Sequence, residues 1–203
     1  MFGGLRLDRI VLLVVLALVL GRMVSSGPYR NGPEIRSDGV GYHAWTRALL
    51  AGDFRFCEFL KQDRRMFSYQ DAERGICQNK YPIGLALLRF PVMAFLVDDT
   101  PGAPLISPAE HLAAGILGAL ALWLTAALCT WALALLGVSA MRANAVVLLV
   151  LFGTGLFHYG TYDGAFTHVY SALICALLCA FGVRELSGGR PVPYAATAVG
   201  SFS

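Results

Sequence analysis

Three long runs contain no Asp, Glu, Lys or Arg at all: residues 112–138, 143–162 and 164–183. Each is long enough to cross a bilayer, whose hydrocarbon layer of roughly 30 Å takes about 20 apolar residues. These runs make charge scarce over the chain as a whole. The chain has 203 residues, of which 57% are hydrophobic and 14% charged, and its mean hydropathy is +0.61. A soluble domain carries about 25% charged residues, so the bilayer is the natural solvent for this sequence. A shorter apolar run, 10–21, follows Arg6 and Arg9 and reads as a first span. A cleaved secretory signal is the rival reading, but no clear small-x-small cleavage site follows, and both export what comes next. Residues 191–203 begin another apolar segment that stops too early to cross. The expectation is an all-α integral membrane fold. It assigns 1–24 to a first transmembrane helix, 25–108 to a long loop, and 109–203 to spans two to four with the start of a fifth.

Orientation follows from the short flanks. Arg6 and Arg9, then Arg142, then Arg184 and Arg190 fall on alternate ends of successive spans, which assigns all five to the cytoplasm. The loop 25–108 is then external, and its own arginines are no obstacle because long loops translocate largely regardless of charge. Nearly all the positive charge is Arg, with Lys only at Lys61 and Lys80, the bias of a GC-rich bacterial genome. The expected location is therefore a bacterial plasma membrane, in contact with membrane lipid. A net charge of +3 gives no sign of nucleic acid. No two of the five cysteines stand at CxxC spacing, so no metal or cofactor is expected. Cys129, Cys175 and Cys179 lie in apolar runs and read as small hydrophobes. Cys57 and Cys77, both in the loop, are free to pair if their geometry permits.

Two pieces of the loop carry order. Residues 38–50 place Val40, Ala44, Trp45, Ala48 and Leu49 at helical spacing, with His43, Thr46 and Arg47 on other faces. That pattern predicts an interfacial helix with Trp45 as its membrane anchor. Residues 81–97 are apolar apart from Arg89 and are interrupted by Pro82 and Pro91, which predicts an interfacial or re-entrant piece rather than a span. Topology then brings the region of Asp38, the segment Asn79-Lys80-Tyr81-Pro82 and the turn 162–168 to one membrane depth. A lipid with a charged head fits such a surface. Displacing phosphate from a sugar needs a carboxylate to take the acceptor proton and cations to hold the leaving charge.

Those residues carry a resemblance. Ser37-Asp38-Gly39-Val40-Gly41-Tyr42-His43-Ala44-Trp45-Thr46-Arg47-Ala48-Leu49-Leu50, followed by Gly52-Asp53, resembles the start of the first external loop in GT-C type glycosyltransferases. That group includes the bacterial protein O-mannosyltransferase-like and lipid A aminoarabinose transferase-like enzymes. Asn79-Lys80-Tyr81-Pro82-Ile83-Gly84-Leu85-Ala86-Leu87-Leu88 is similar to a later stretch of such proteins, and Thr167-His168-Val169-Tyr170-Ser171 to the start of their fourth span. The resemblance implies a multi-span helical bundle whose long external loop carries interfacial helices. It also implies inverting transfer of a sugar from a polyprenyl-phosphate donor to an external glycan, lipid or protein acceptor. In that frame Asp38 is the base, although many relatives have two adjacent acids where this chain has Asp38-Gly39. Lys80 contacts the donor phosphate, and His168, at a helix N-terminal end that favours anions, joins it. Tyr42, His43, Tyr81 and Asp163 are further substrate-binding candidates.

Each assignment has a plainer alternative. Asp38 caps the interfacial helix, Lys80 is a loop charge near headgroups, and His168 is an interfacial histidine bonded to a carbonyl. His43 and Arg47 form the solvated face of their helix. Asp163 has no motif of its own, and Trp123 and Trp131 read as packing or interface residues. Two other functions compete: a transporter component, disfavoured by uncharged spans, and a non-catalytic assembly or anchoring protein. Proteins with this resemblance have more spans, so the chain reads as the N-terminal portion of one. Residues 1–203 alone are expected to show no sugar transfer in reconstituted vesicles, and robust turnover would refute that.

Overall fold

The computed structural model describes residues 13–18, 20–21, 35–54, 56, 67–71, 76–97 and 106–188. Arg6, Arg9, Cys57, Arg190 and the apolar segment 191–203 lie outside these, as do the ends of the 10–21 run; its residues 13–18 and 20–21 are helical. The described chain is mostly helical. In order it forms α1 (Asp38–Ala51), β1 (Phe67–Asp71), β2 (Ile76–Asn79), α2 (Gly84–Met93), α3 (Pro108–Leu135), α4 (Ala140–Gly153), α5 (Leu156–Thr161) and α6 (Thr167–Leu186). Two of them, α3 and α6, are long and apolar enough to cross a membrane, with mean hydropathies of 2.1 and 1.7 over their most apolar windows.

Two compact units divide the chain. The loop unit comprises Met23–Gly118 and Thr161–Thr167, so it takes in the first turns of α3 and the turn before α6 as well as the expected loop. The helical unit comprises Met1–Arg22, Ala119–Gly160 and His168–Ser203. Within the loop unit, β1 and β2 pair antiparallel with Phe67 opposite Asn79 and Tyr69 opposite Cys77, and the register shifts between Tyr69 and Asp71. This ribbon is an addition to the all-α expectation, because segments of four and five residues carry too little periodicity to announce strands. Its second strand delivers Asn79, Lys80 and Tyr81. Cys77 is disulfide-bonded, while Cys129, Cys175 and Cys179 are free.

The long helix α3 begins with a reciprocal cap. Glu110 N–H donates to Ser107 Oγ at 3.3 Å, and Ser107 N–H donates to a Glu110 carboxylate oxygen at 2.7 Å, with Pro108 at the first helical position, where no N–H is needed. It ends at Gly137, whose φ of 75° closes the turn through Val138 N–H to Leu133 C=O and Gly137 N–H to Ala134 C=O, both 3.0 Å. Between these ends its buried hydroxyls turn back on the helix, Thr125 to Ala121 C=O at 2.8 Å and Thr130 to Ala126 C=O at 2.9 Å. Neither hydroxyl needs a partner from lipid.

The run 143–162, expected as a single span, is instead two helices. Thr154 is extended (φ −118°, ψ 176°). Its hydroxyl donates to Val150 C=O at 2.6 Å and accepts from Leu156 N–H at 3.3 Å. A hydroxyl that bonds both neighbouring turns, flanked by Gly153 and Gly155, gives the backbone an alternative to continuing the helix.

Close backbone packing fixes the turn 161–167. A Cβ on Gly164 would stand 2.9 Å from Ala114 O and 3.2 Å and 3.3 Å from the Cα atoms of Gly115 and Gly118, all backbone atoms that cannot swing aside. Gly164→Ala is expected to destabilise the protein by roughly 1–3 kcal/mol. Gly84→Ala, where an added Cβ meets nothing within 4 Å, should be nearly neutral. Thermal unfolding in detergent reads both, and equal melting of the two variants would refute the tight contact.

Candidate functional site

The site begins at Ser37, a non-glycine residue with φ of 45°, a conformation costing of order 1–3 kcal/mol. Gly39 N–H donates to Arg36 C=O at 2.8 Å and Val40 N–H to Ser37 C=O at 3.0 Å, a tight turn that starts α1 at Asp38. Ser37, not Asp38, occupies the capping position, and it makes no side-chain cap bond. The Asp38 carboxylate is engaged elsewhere: its Oδ1 accepts from the Tyr81 hydroxyl at 2.6 Å, and its other oxygen has no protein partner among the described residues. Asp38 is half-exposed.

Tyr81 reaches Asp38 because Gly41 lets it. A Cβ on Gly41 would overlap the Tyr81 ring, so only glycine allows the ring to lie on the α1 backbone. Four further contacts lock the arrangement. Asn79 Nδ2 donates to Gly41 C=O at 2.7 Å and Asn79 Oδ1 accepts from Tyr81 N–H at 3.1 Å. Trp45 Nε1 donates to Tyr81 C=O at 2.7 Å, and the rings of Tyr42 and Tyr81 meet edge-on at 4.7 Å. Trp45, expected as a membrane anchor, therefore spends its N–H inside the unit and packs on Phe56 at 4.7 Å. Lys80 is exposed, with Nζ 5.1 Å from the centroid of the Tyr81 ring, within cation–π range. An acid and a cation thus converge on one tyrosine.

The turn 161–167 joins the same unit through two pairs of side chains. Arg36 donates to Asp163 Oδ1 from Nη2 at 2.8 Å and from Nε at 3.3 Å. Tyr42 and Thr167 share a hydroxyl hydrogen bond at 3.3 Å. Asp163 is buried and holds the turn against the residue two before Asp38. His168 belongs to the helical unit, where it is exposed and its ring centroid lies 4.1 Å from that of Tyr159.

His43 and Arg47 correct the expectation of a solvated face. His43 is 0% exposed, Arg47 8% and Thr46 0%. His43 and Arg47 face Glu110, also 0% exposed. His43 Nε2 donates to Glu110 Oε1 at 2.8 Å, and Arg47 Nη2 to Oε2 at 3.4 Å. The next residue, His111, accepts through Nδ1 from Ile35 N–H at 3.1 Å. His43 is therefore interior rather than open to a substrate. The signal for Glu110 was present in Ser107-Pro108-Ala109-Glu110, a capping-box pattern with Pro at the first position. Nothing local marks the pairing of Arg36 with Asp163, 127 residues apart.

Burial pushes the His43 pKa below its ordinary value of 6.5; the bond to Glu110 opposes this, and the charges of Arg89 and Arg47 reinforce it. The ring is neutral at pH 7, with its proton on Nε2 because a carboxylate only accepts. The unfolded chain takes up a proton first as pH falls, so this contribution is complete above pH 6.5 and shrinks from there towards the folded-state pKa. His43→Gln, which keeps an N–H donor for Glu110, should flatten the loss of stability between pH 7.5 and 5.5 by up to about 1.4 kcal/mol per pH unit. Denaturant titrations at the two pH values measure the slope, and equal slopes would refute neutral burial.

Comparison with protein-family models, curated proteins and solved structures returned no match.

Proposed function

We propose that this chain carries catalytic residues of a GT-C type glycosyltransferase in a bacterial plasma membrane, with the loop 25–108 on the external face. The main support is the hydrogen bond from Tyr81 to Asp38. It couples the acid after the first apolar run to the segment holding Lys80, the two stretches in which the resemblance implies a base and a phosphate contact. The bond from Arg36 to Asp163 and that from Tyr42 to Thr167 hold the turn 161–167, which ends at the first residue of the third stretch, in the same unit.

The chemistry is one displacement. Asp38 takes the proton of the acceptor hydroxyl, and the acceptor oxygen bonds to the anomeric carbon as its bond to phosphate breaks. The electron pair departs on the polyprenyl phosphate, whose charge Lys80 meets. With no protein nucleophile the anomeric centre inverts. Tyr81 orients the base and holds one of its oxygens, leaving the other for the acceptor. His168 lies in the other unit and takes no part in this assignment.

The test uses membranes expressing the reading frame that contains residues 1–203, supplied with a radiolabelled short-chain polyprenyl-phosphate hexose. Label is followed into lipid, glycan and protein. Asp38→Asn should lower kcat by about 10²-fold or more, while Lys80→Ala should mainly raise the donor KM. Tyr81→Phe, which keeps the ring on Gly41, should shift the acidic limb of the pH–rate profile. Wild-type transfer by Asp38→Asn would sink the assignment, and so would absence of transfer by the parent.

A further inference from the structure

Within the helical unit, α3, α4 and α6 enclose a pocket of about 300 Å³ lined by Ala126, Cys129, Leu133, Val147, Leu151 and Cys179 among others. This is about ten times the volume share of one water molecule. Water has nothing to hold it there. The one hydroxyl on the wall, Thr125, donates to Ala121 C=O of its own helix at 2.8 Å, and the other polar atoms are thiols, which are weak partners. A dry cavity of this size leaves its lining without contacts on one side, so a hydrocarbon occupant restores them. The rim gives access, since Val146 is 48% and Val150 44% exposed.

Charge at the rim indicates the kind of hydrocarbon. Arg142 stands four residues before Val146 on α4, which puts both on one helix face. Arg184 directly follows Val183, a residue of the pocket wall. Both arginines are exposed and make no ion pair among the described residues. Glu185 is exposed as well, but it lies about 100° further round α6 than Arg184, away from Val183. An apolar slot whose α4 rim begins one turn after Arg142 and whose α6 wall ends next to Arg184 is complementary to a chain with an anionic head, as in basic pockets between spans. Lys80, the cation assigned to the sugar donor, belongs to the other unit.

We propose that this pocket holds one acyl chain of an anionic glycerophospholipid, whose phosphate is met by Arg142 and Arg184. The site is independent of the glycosyltransferase assignment and needs only α3 and α6 in a bilayer. The protein is purified in detergent, incubated with phosphatidylglycerol or phosphatidylcholine of identical chains, and the retained lipid is counted by native mass spectrometry. One phosphatidylglycerol should remain per chain, with phosphatidylcholine held on the order of tenfold more weakly. The double variant Arg142→Gln/Arg184→Gln should bind both lipids at the phosphatidylcholine level. Val150→Trp, which fills the slot from its exposed rim, should retain neither. Equal retention of the two lipids by the wild type would overturn the proposal. So would retention unchanged by Val150→Trp, or displacement of phosphatidylglycerol by an equimolar short-chain polyprenyl phosphate, which would assign the pocket to the donor lipid. Should Val150→Trp fail to fold, the wild-type comparison and the arginine variant decide the matter.

Discussion

Glu110 is a carboxylate with no exposure in the first turn of the longest apolar helix, and such a group is tolerable only when its lone pairs are occupied. Ser107 N–H, His43 Nε2 and Arg47 Nη2 occupy them. Each of those bonds also does structural work. Ser107 starts α3, while His43 and Arg47 fasten one face of α1 to it. With that face settled, the same helix can present Asp38, Gly41 and Tyr42 to Tyr81. Removing only the carboxylate would take a partner from the Arg47 guanidinium and from the neutral imidazole donor at once, so the cluster acts as a unit rather than as separable pairs.

Tyr81 is the second fixed point, and its position is as much steric as polar. Its ring occupies the space a side chain at position 41 would take, its hydroxyl reaches Asp38, and its backbone is bonded by Asn79 and Trp45. A tyrosine held at its ring, its hydroxyl and both backbone groups loses little further freedom when a substrate arrives. Strain at Ser37, immediately before Asp38, fits the same picture: an unfavourable φ persists only where surrounding contacts over-determine it. Preorganisation of this sort is what a general base needs, because misplacing a proton acceptor by an ångström costs rate steeply.

Much of this was legible in the sequence, and the failures share a cause. Helical spacing located a helix at 38–50 against an observed α1 of Asp38–Ala51. Pro82 lies ahead of α2 as expected, but Pro91 does not interrupt it, since α2 runs through that residue to Met93. Hydropathy found α3 and α6. Local pattern could not tell that His43 and Arg47 turn inward, since their partner Glu110 lies 67 and 63 residues away. A charged residue without a visible partner is assigned to solvent by default. The break at Thr154 was missed for a related reason. Hydropathy sums the run 143–162 into one span and is blind to a hydroxyl that competes with the backbone ladder. The bonds that tie the turn 161–167 to the start of the loop, Arg36 to Asp163 and Tyr42 to Thr167, have no sequence signature.

The two units meet the exclusion of water in opposite ways, and the difference bears on what each can bind. In the loop unit charges are buried and cross-bonded, so entry of a further polar group must displace or extend an existing network; chemistry with protons and phosphate is at home there. In the helical unit the threonines of α3 are bonded to their own backbone, and the cavity beside them offers a hydrogen-bonding ligand little beyond two thiols. An apolar chain loses nothing on entering such a wall and restores contacts the wall lacks, while its headgroup stays at the rim among exposed arginines. Selectivity in that unit therefore resides wholly at the mouth, in Arg142 and Arg184, because the interior cannot tell one hydrocarbon from another of similar width.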